Sequence, residues 1–159
     1  MHLSTILDPS CVLLDVGSGS KEEILARLAQ PIAALRPDLD GAAIVAELIQ
    51  RENDSSTAIA DGIAIPHAKP TGQRTVTAAL GRSSGLDFDS LDGRPTTLLV
   101  VLVSPPDDPD LHVRWLAHVA SVLGDPATRQ RLLRATSAGE MFDAIREHED
   151  RVTGVRCRP

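Results

Sequence analysis

Hydrophobic and polar residues follow two periods along the chain, one typical of helices and one typical of strands. Apolar residues three and four apart follow a capping box that starts at Ser20, and they predict a helix that Pro31 should kink or split. A second helix is expected to begin at Asp38 or Asp40 and to end near Glu52. Three more helices are predicted, over residues 111–124, from Pro126 onward, and after a capping box at Ser137.

The strand patterns lie between these helices. Residues 98–103 are six consecutive aliphatic residues, which is typical of a strand buried on both faces of a sheet. Residues 57–67 alternate isoleucine with small residues and close on Pro66-His67, which predicts a strand or a turn followed by a strand. Shorter strands are predicted over residues 11–16 and 75–81.

Helices and strands alternate without a repeat or a linker, which indicates the α/β class. We expect a single layered domain over residues 1–150, with a central mixed β-sheet flanked by helices. The charged tail, residues 151–159, is expected to fray.

Composition narrows the classes of function. Aromatic residues are only 2% of the 159, so the core must be aliphatic and no stacking platform for single-stranded nucleic acid is available. The net charge of −6 disfavours nucleic acid and anionic membranes. No signal-peptide pattern is present, and no apolar run approaches the roughly 18 residues that span a bilayer. We expect a soluble, cytoplasmic protein without membrane insertion. Cys11 and Cys157 are expected to be unpaired thiols, with a disulfide between them as the alternative.

Residues 51–67 hold an arginine, three consecutive hydroxyl side chains and a histidine. Arg51 ends a predicted helix and His67 follows a predicted strand, so a chain that turns back would bring both to one face. A neutral imidazole is a good nucleophile, and a guanidinium matches phosphoryl oxygens with two parallel donors. Ser56 and Thr57 can add hydrogen bonds. Each residue alone is more often structural or on the surface, but together they suggest phosphoryl transfer through a histidine nitrogen.

His112 is the second candidate. If Asp108 or Asp110 caps its helix, His112 lies in the first turn, where the helix dipole lowers the pKa of an imidazole and favours an anion. That position suits a second ring beside a phosphoryl group. The alternative is an ordinary exposed helix histidine.

The two segments together resemble the mannitol/fructose-type IIA family of the sugar phosphotransferase system, which includes the nitrogen-regulatory IIA proteins. The resemblance covers nearly the whole chain. The matching residues are Arg51-Glu52, Ser56-Thr57, the closure Gly62-Ile63-Ala64-Ile65-Pro66-His67, and the helix start His112-Val113-Arg114-Trp115-Leu116-Ala117.

The resemblance implies a mixed sheet flanked by helices and a phosphocarrier function. His67 would accept a phosphoryl group from an HPr-like donor protein and pass it to a IIB component during sugar uptake. Arg51 would hold the phosphoryl oxygens, His112 would hydrogen-bond the group or the His67 ring, and Ser56 or Thr57 would line the site. No metal or organic cofactor is implied.

Two alternatives stay open. In one, the protein is a regulatory IIA protein of the nitrogen type, whose phosphorylation state controls partner proteins. In the other, it is a hydrolase that uses His67 with Asp61 or Glu52, although no nucleophile elbow or metal-binding spacing is present.

Ala58 and Ala60 stand where the family often has glycine. If either position requires a positive φ, alanine costs about 1 kcal/mol there.

Overall fold

The computed structural model describes residues 1–154, which form one mixed sheet with helices around it. The α/β class predicted from the sequence is confirmed. A short 3-10 turn, Leu3–Thr5, precedes the first strand. The strands are β1 (Leu7–Leu13), β2 (Ile63–Ala64), β3 (His67–Ala68), β4 (Thr77–Leu86) and β5 (Thr96–Val103). The helices are α1 (Lys21–Leu35), α2 (Gly41–Asp54), α3 (Pro109–Gly124), α4 (Pro126–Arg134) and α5 (Ala138–Thr153).

The sheet order is β1-β4-β5-β2, and β3 also pairs with β5. Strand β4 runs antiparallel to β5, while β1 is parallel to β4 and both short strands are parallel to β5. Ile63 pairs with Leu98 and His67 with Leu102, so β2 and β3 are two pieces of one edge strand. Because β3 and β5 are parallel, their carboxyl ends lie at the same edge of the sheet.

Helices cover both faces of the sheet. Gly81 in β4 faces α1, where Leu28 packs against it, whereas the guanidinium of Arg82 donates to carbonyl groups at the end of α4. Consecutive residues of a strand point to opposite faces, so α1 and α4 lie on opposite sides. Between them, every residue from Leu98 to Val103 has 0% of its surface exposed. The core is mainly aliphatic, and the aromatic residues buried in it are Phe88 and Trp115.

Side-chain caps start the helices largely where the sequence places them. Ser20 and Glu23 form both bonds of the predicted capping box, and Ser137 accepts from the amide of Glu140. Of the two candidates for the start of α2, Asp40 is the cap. Asp108 caps α3, which therefore begins two residues before the predicted Leu111.

Some element boundaries differ from those predicted. Helix α1 is not split, since it continues through Pro31 to Leu35. Strand β1 begins at Leu7 rather than residue 11, because a β-bulge lets it pass the polar Asp8-Pro9-Ser10 run. Helix α2 extends two residues beyond Glu52 to Asp54.

The last two differences concern the ends of β4 and α5. Strand β4 begins at Thr77 and runs to Leu86, beyond the predicted 75–81, because an irregularity between Arg82 and Leu86 keeps it paired with β5. Helix α5 extends to Thr153, so the first residues of the predicted tail are helical. The rest of the tail, residues 155–159 with Cys157, lies outside the described residues.

Two further predictions can be compared with the described residues. Cys11 is a free, buried thiol. Among residues 1–154, no helix is both long enough and apolar enough to cross a membrane.

Candidate functional site

The site lies at the carboxyl ends of β3 and β5. His67 is the first residue of β3, and the amide of Ser104, just after β5, donates to the carbonyl of Ala68 at 3.1 Å. The loop after Ser104 leads to the Asp108 cap of α3, which places His112 in the first turns of that helix. The last turn of α2 supplies Arg51 from the other side. Three separate segments therefore converge on one point.

The hydrogen bonds of the His67 ring determine which of its two nitrogens carries the proton. Nδ1 lies 2.9 Å from the carbonyl oxygen of Ile65, which can only accept, so Nδ1 carries the proton. Nε2 of the neutral ring therefore has a lone pair, and it accepts from Nε of Arg51 at 3.0 Å. The same guanidinium donates through Nη1 to the carbonyl of Ser55 at 2.8 Å. The unprotonated nitrogen is the one that faces the guanidinium.

The surroundings of His67 keep its ring neutral. Burial lowers the pKa of His67 most strongly, and the cations of Arg51 and Lys69 lower it further. The hydrogen bond to Ile65 and the Glu52 carboxylate act in the opposite direction, but the net shift is downward. His67 is half-buried, so its ring is held in place and remains accessible.

His112 lies beside His67, with the ring centroids 5.0 Å apart and the ring planes inclined by 59°. It is buried, with 6% of its surface exposed, so the alternative of an ordinary exposed helix histidine is wrong. Its Nδ1 is 2.5 Å from Oγ of Ser104. Burial is the largest cause that lowers the pKa of His112 to about 4, followed by the charged form of His67 and by the cations of Lys69 and Arg51. Both rings are therefore neutral near pH 7.

An open cavity of about 290 Å³ connects these groups with the surface. Cationic, anionic and amide side chains surround the two rings. The cavity is lined by Glu47, Gln50, Arg51, Asp54, His67, Ala68, Lys69 and His112. A phosphoryl group brought by another molecule would meet the rings and both cations here.

Ser56 and Thr57 are not among the residues that line this cavity. Ser56 Oγ donates to the carbonyl of Phe88, and the hydroxyl and amide of the buried Thr57 both donate to the Glu52 carboxylate. Lys21 Nζ lies 3.3 Å from the other oxygen of that carboxylate. Both hydroxyls thus hold the loop between α2 and β2 in place. Direct contact of either with a phosphoryl group stays a prediction that this conformation does not support.

The two acids considered for a hydrolase do not line the cavity either. Glu52 is buried and engaged by Thr57 and Lys21, and Asp61 forms an exposed ion pair with Arg94 at 2.9 Å. Neither is placed to act as a base beside His67. Within residues 1–154, no cluster of three or more His, Cys, Asp or Glu residues could hold a metal ion.

The loop between α2 and β2 accommodates alanine at positions 58 and 60. Neither residue has a positive φ; the left-handed residues are Asp61 (φ 60°) and Gly62 (φ 75°). Ala58 instead forms an isolated bridge with Ala64. The substitution of the family's glycines therefore causes no backbone strain at these two positions.

Several residues at the site are not predicted from the sequence, among them Glu47, Lys69 and Ser104. The Glu47 carboxylate accepts from the amide of Lys69 at 3.0 Å, which links α2 to the end of β3. Lys69 lies two residues after His67 in the sequence, so its proximity was a usable signal. Ser104 ends an apolar strand, and only the folded structure shows which ring it contacts.

Comparisons with known proteins place the chain in one family. Residues 5–148 match the family described as phosphoenolpyruvate-dependent sugar phosphotransferase system, EIIA 2. A nitrogen regulatory protein of Pseudomonas aeruginosa is 35% identical, and the match covers 91% of this chain and 95% of that protein. A fructose-specific EIIA component of Haloferax volcanii is 34% identical, with 91% and 95% covered.

Among solved structures, the crystal structure of nitrogen regulatory protein IIA-Ntr from Neisseria meningitidis superposes with a TM-score of 0.82 and 28% identity. The superposition covers 90% of this chain and 98% of the Neisseria meningitidis chain. The family match spans nearly all of the described residues and includes His67, Arg51 and His112. The chain belongs to the EIIA 2 family of the phosphoenolpyruvate-dependent sugar phosphotransferase system.

Proposed function

We propose that this protein is a phosphocarrier that accepts a phosphoryl group on Nε2 of His67 and passes it to another protein. The observation that carries the proposal is the state of that nitrogen. Nε2 is unprotonated, is paired with Arg51, and belongs to a ring that lines an open cavity. A hydrolase would need Asp61 or Glu52 as an acid beside His67, and neither of them lines the cavity.

The donor is a phosphohistidine protein of the HPr type. The Nε2 lone pair attacks the phosphorus while the donor's N–P bond breaks, and that bonding pair stays on the donor's imidazole nitrogen. The proton on Nδ1 of His67 stays on that nitrogen and remains hydrogen-bonded to the Ile65 carbonyl throughout. The acceptor, a IIB component, later attacks the phosphorus and returns the pair to Nε2.

Arg51 has a different role before and after this step. In the free protein its Nε donates to the lone pair that becomes the new N–P bond. Once that pair is used, the guanidinium donates to the phosphoryl oxygens, which carry about two negative charges. His112 and Lys69 face the same cavity and add a neutral ring and a second cation.

A regulatory role of the nitrogen type is the second candidate. The chain is 35% identical to the nitrogen regulatory protein of Pseudomonas aeruginosa and 34% identical to the fructose-specific component of Haloferax volcanii. Sequence identity therefore supports the regulatory role as well as the carrier role. In this case His67 is phosphorylated in the same way, but a partner protein binds differently to the phosphorylated and unphosphorylated forms. Rapid transfer to a IIB protein separates the carrier from the regulator.

The test is phosphorylation by phosphoenolpyruvate, enzyme I and HPr, followed by intact-mass measurement under neutral conditions. The wild-type protein should gain one phosphoryl group, and His67→Ala should gain none. His118→Ala is the matched control, because this histidine pairs with Glu149 outside the cavity and its loss should leave labelling intact. Phosphorylation of the His67→Ala protein would contradict the assignment.

A further inference from the structure

We propose that Ser104 is a positioning residue that holds His112 in the tautomer whose Nε2 carries the proton. A hydrogen-bond donor, rather than a lone pair, then faces the cavity in which His67 receives its phosphoryl group. The inference rests on the proposed function for its purpose, but the tautomer itself is a property of the resting protein.

Burial determines the direction of the Ser104–His112 hydrogen bond. Ser104 has 0% of its surface exposed, and its Oγ lies 2.5 Å from Nδ1 of His112. Within residues 1–154, Nδ1 of His112 is the one hydrogen-bond partner found for this hydroxyl. If the ring donated instead, the hydroxyl proton would be buried without an acceptor, which is unfavourable. The hydroxyl therefore donates, and Nδ1 accepts.

The state of the other nitrogen follows from this bond. At a pH near 7 the ring of His112 is neutral, because burial lowers its pKa to about 4. A neutral imidazole whose Nδ1 accepts has its proton on Nε2. Nε2 has no hydrogen-bond partner among the described residues, and its ring lines the cavity.

This donor suits the chemistry of the neighbouring ring. Phosphoryl oxygens only accept hydrogen bonds, so an Nε2 lone pair on His112 would repel them, whereas an N–H group attracts them. The centroid of His112 lies 5.0 Å from that of His67. A buried serine at the end of β5 thus determines the polarity of the second ring without reaching the phosphoryl group.

The first experiment measures the tautomer directly. The protein is labelled with ¹⁵N-histidine, and two-bond ¹H–¹⁵N correlations are recorded at neutral pH without any phosphoryl donor. We expect Nδ1 of His112 to have the shift of an unprotonated nitrogen and Nε2 that of a protonated one, the reverse of the pattern at His67. Protonated Nδ1 in His112 would overturn the proposal.

The second experiment uses Ser104→Ala and Ser104→Thr. The alanine variant should slow transfer of the phosphoryl group through His67 by about tenfold, the effect typical of residues that orient a metal-bound histidine. It should also give His112 correlations from both tautomers. Ser104→Thr keeps the hydroxyl and should restore the wild-type tautomer and most of the rate.

Ser83→Ala is the matched control. Ser83 is also a buried serine, and its Oγ donates to the carbonyl of Thr96 at 2.7 Å, away from the cavity. Its loss should affect thermal stability as Ser104→Ala does, without changing the rate or the His112 signals. A wild-type rate in Ser104→Ala overturns the proposal, whereas absence of phosphorylation in the wild-type protein would contradict the proposed function and leave the tautomer result valid.

Discussion

The two histidines of the cavity are kept uncharged chiefly by burial. Burial is the largest cause of the lowered pKa in each, and the cations of Arg51 and Lys69 act in the same direction. His112, which has the hydroxyl of Ser104 as its partner, is shifted to about 4. His67 is held nearer its usual range because the Ile65 carbonyl and the Glu52 carboxylate favour its charged form.

The ring of His67 should titrate below the ordinary range of a histidine. Because its pKa lies below 6.5, the neutral ring should persist as the pH falls through 6.5, and protonation should follow only at lower pH. Titration of the His67 ring by NMR measures this directly. Arg51→Gln removes a cation that disfavours the charged ring, so its midpoint should rise relative to the wild-type protein. A wild-type midpoint at or above 6.5 would be incompatible with the described surroundings.

Individual residues differ in how well the sequence predicts their placement. Arg51, His67 and His112 are brought together as expected, because a helix end, a strand start and a capped helix can each be recognised locally. The sequence predicts Ser56 in the site, but its hydroxyl donates to the carbonyl of Phe88, which is 32 residues away. Such a partner depends on how the loops pack. The contact of Ser104 with His112 is hidden for the same reason.

At the scale of elements, close packing between α1 and β4 positions the helix layer. Gly81 lies where the helix meets the strand, and an added Cβ would lie 2.7 Å from Cδ2 of Leu28 and closer still to Cγ1 of Val16. Helix α1 also continues through Pro31, where local rules predict a kink or a split. The buried face of α1, which includes Leu25, Leu28 and Ile32, packs across that position. Tertiary packing accounts for the close contact at Gly81 and for the continuous helix at Pro31. The hydrophobic periodicity of the sequence does not predict such packing.

Gly81→Ala should therefore destabilise the protein although alanine suits a strand no worse than glycine. The added methyl group forces Val16 and Leu28 apart, and we expect a loss of about 1–3 kcal/mol in the free energy of unfolding. Urea denaturation measures the change. Gly124→Ala is the control, because apart from its chain neighbours and the backbone of its own helix no heavy atom lies within 4 Å of the Cβ position there. Equal stability of the two variants would contradict the packing described for β4.

At the scale of the whole molecule, Glu149 joins the two ends of the described chain. Its carboxylate, in α5, accepts from the amides of Leu3 and Ser4 and from the hydroxyl of Ser4, and it lies 2.9 Å from Nε2 of His118. Burial alone would raise the pKa of Glu149, but these hydrogen bonds outweigh it and the net shift is downward. The α/β class was predictable from alternating patterns, whereas this connection between distant ends was not.

Glu149→Gln should lower the free energy of unfolding by about 2 kcal/mol at pH 7, the order of a few charge-assisted hydrogen bonds. The folded pKa lies below the unfolded one, so the wild-type advantage is complete above the ordinary value of 4.5 and is lost as the pH falls through the folded pKa. Urea denaturation at several pH values measures this. Glu147→Gln, which removes an exposed pair with Arg131, should change little. A constant difference between Glu149→Gln and wild type down to pH 3 would disprove the linkage.

The hydrogen bond from Nδ1 of His67 to the carbonyl of Ile65 has a consequence for every partner. This bond opposes rotation of the ring away from the main chain two residues back. Nε2 of His67 therefore keeps a fixed position, and a partner protein has to bring its own reactive atom to that nitrogen. In the proposed phosphocarrier, the donor and the acceptor would therefore approach the same side of the ring, one after the other.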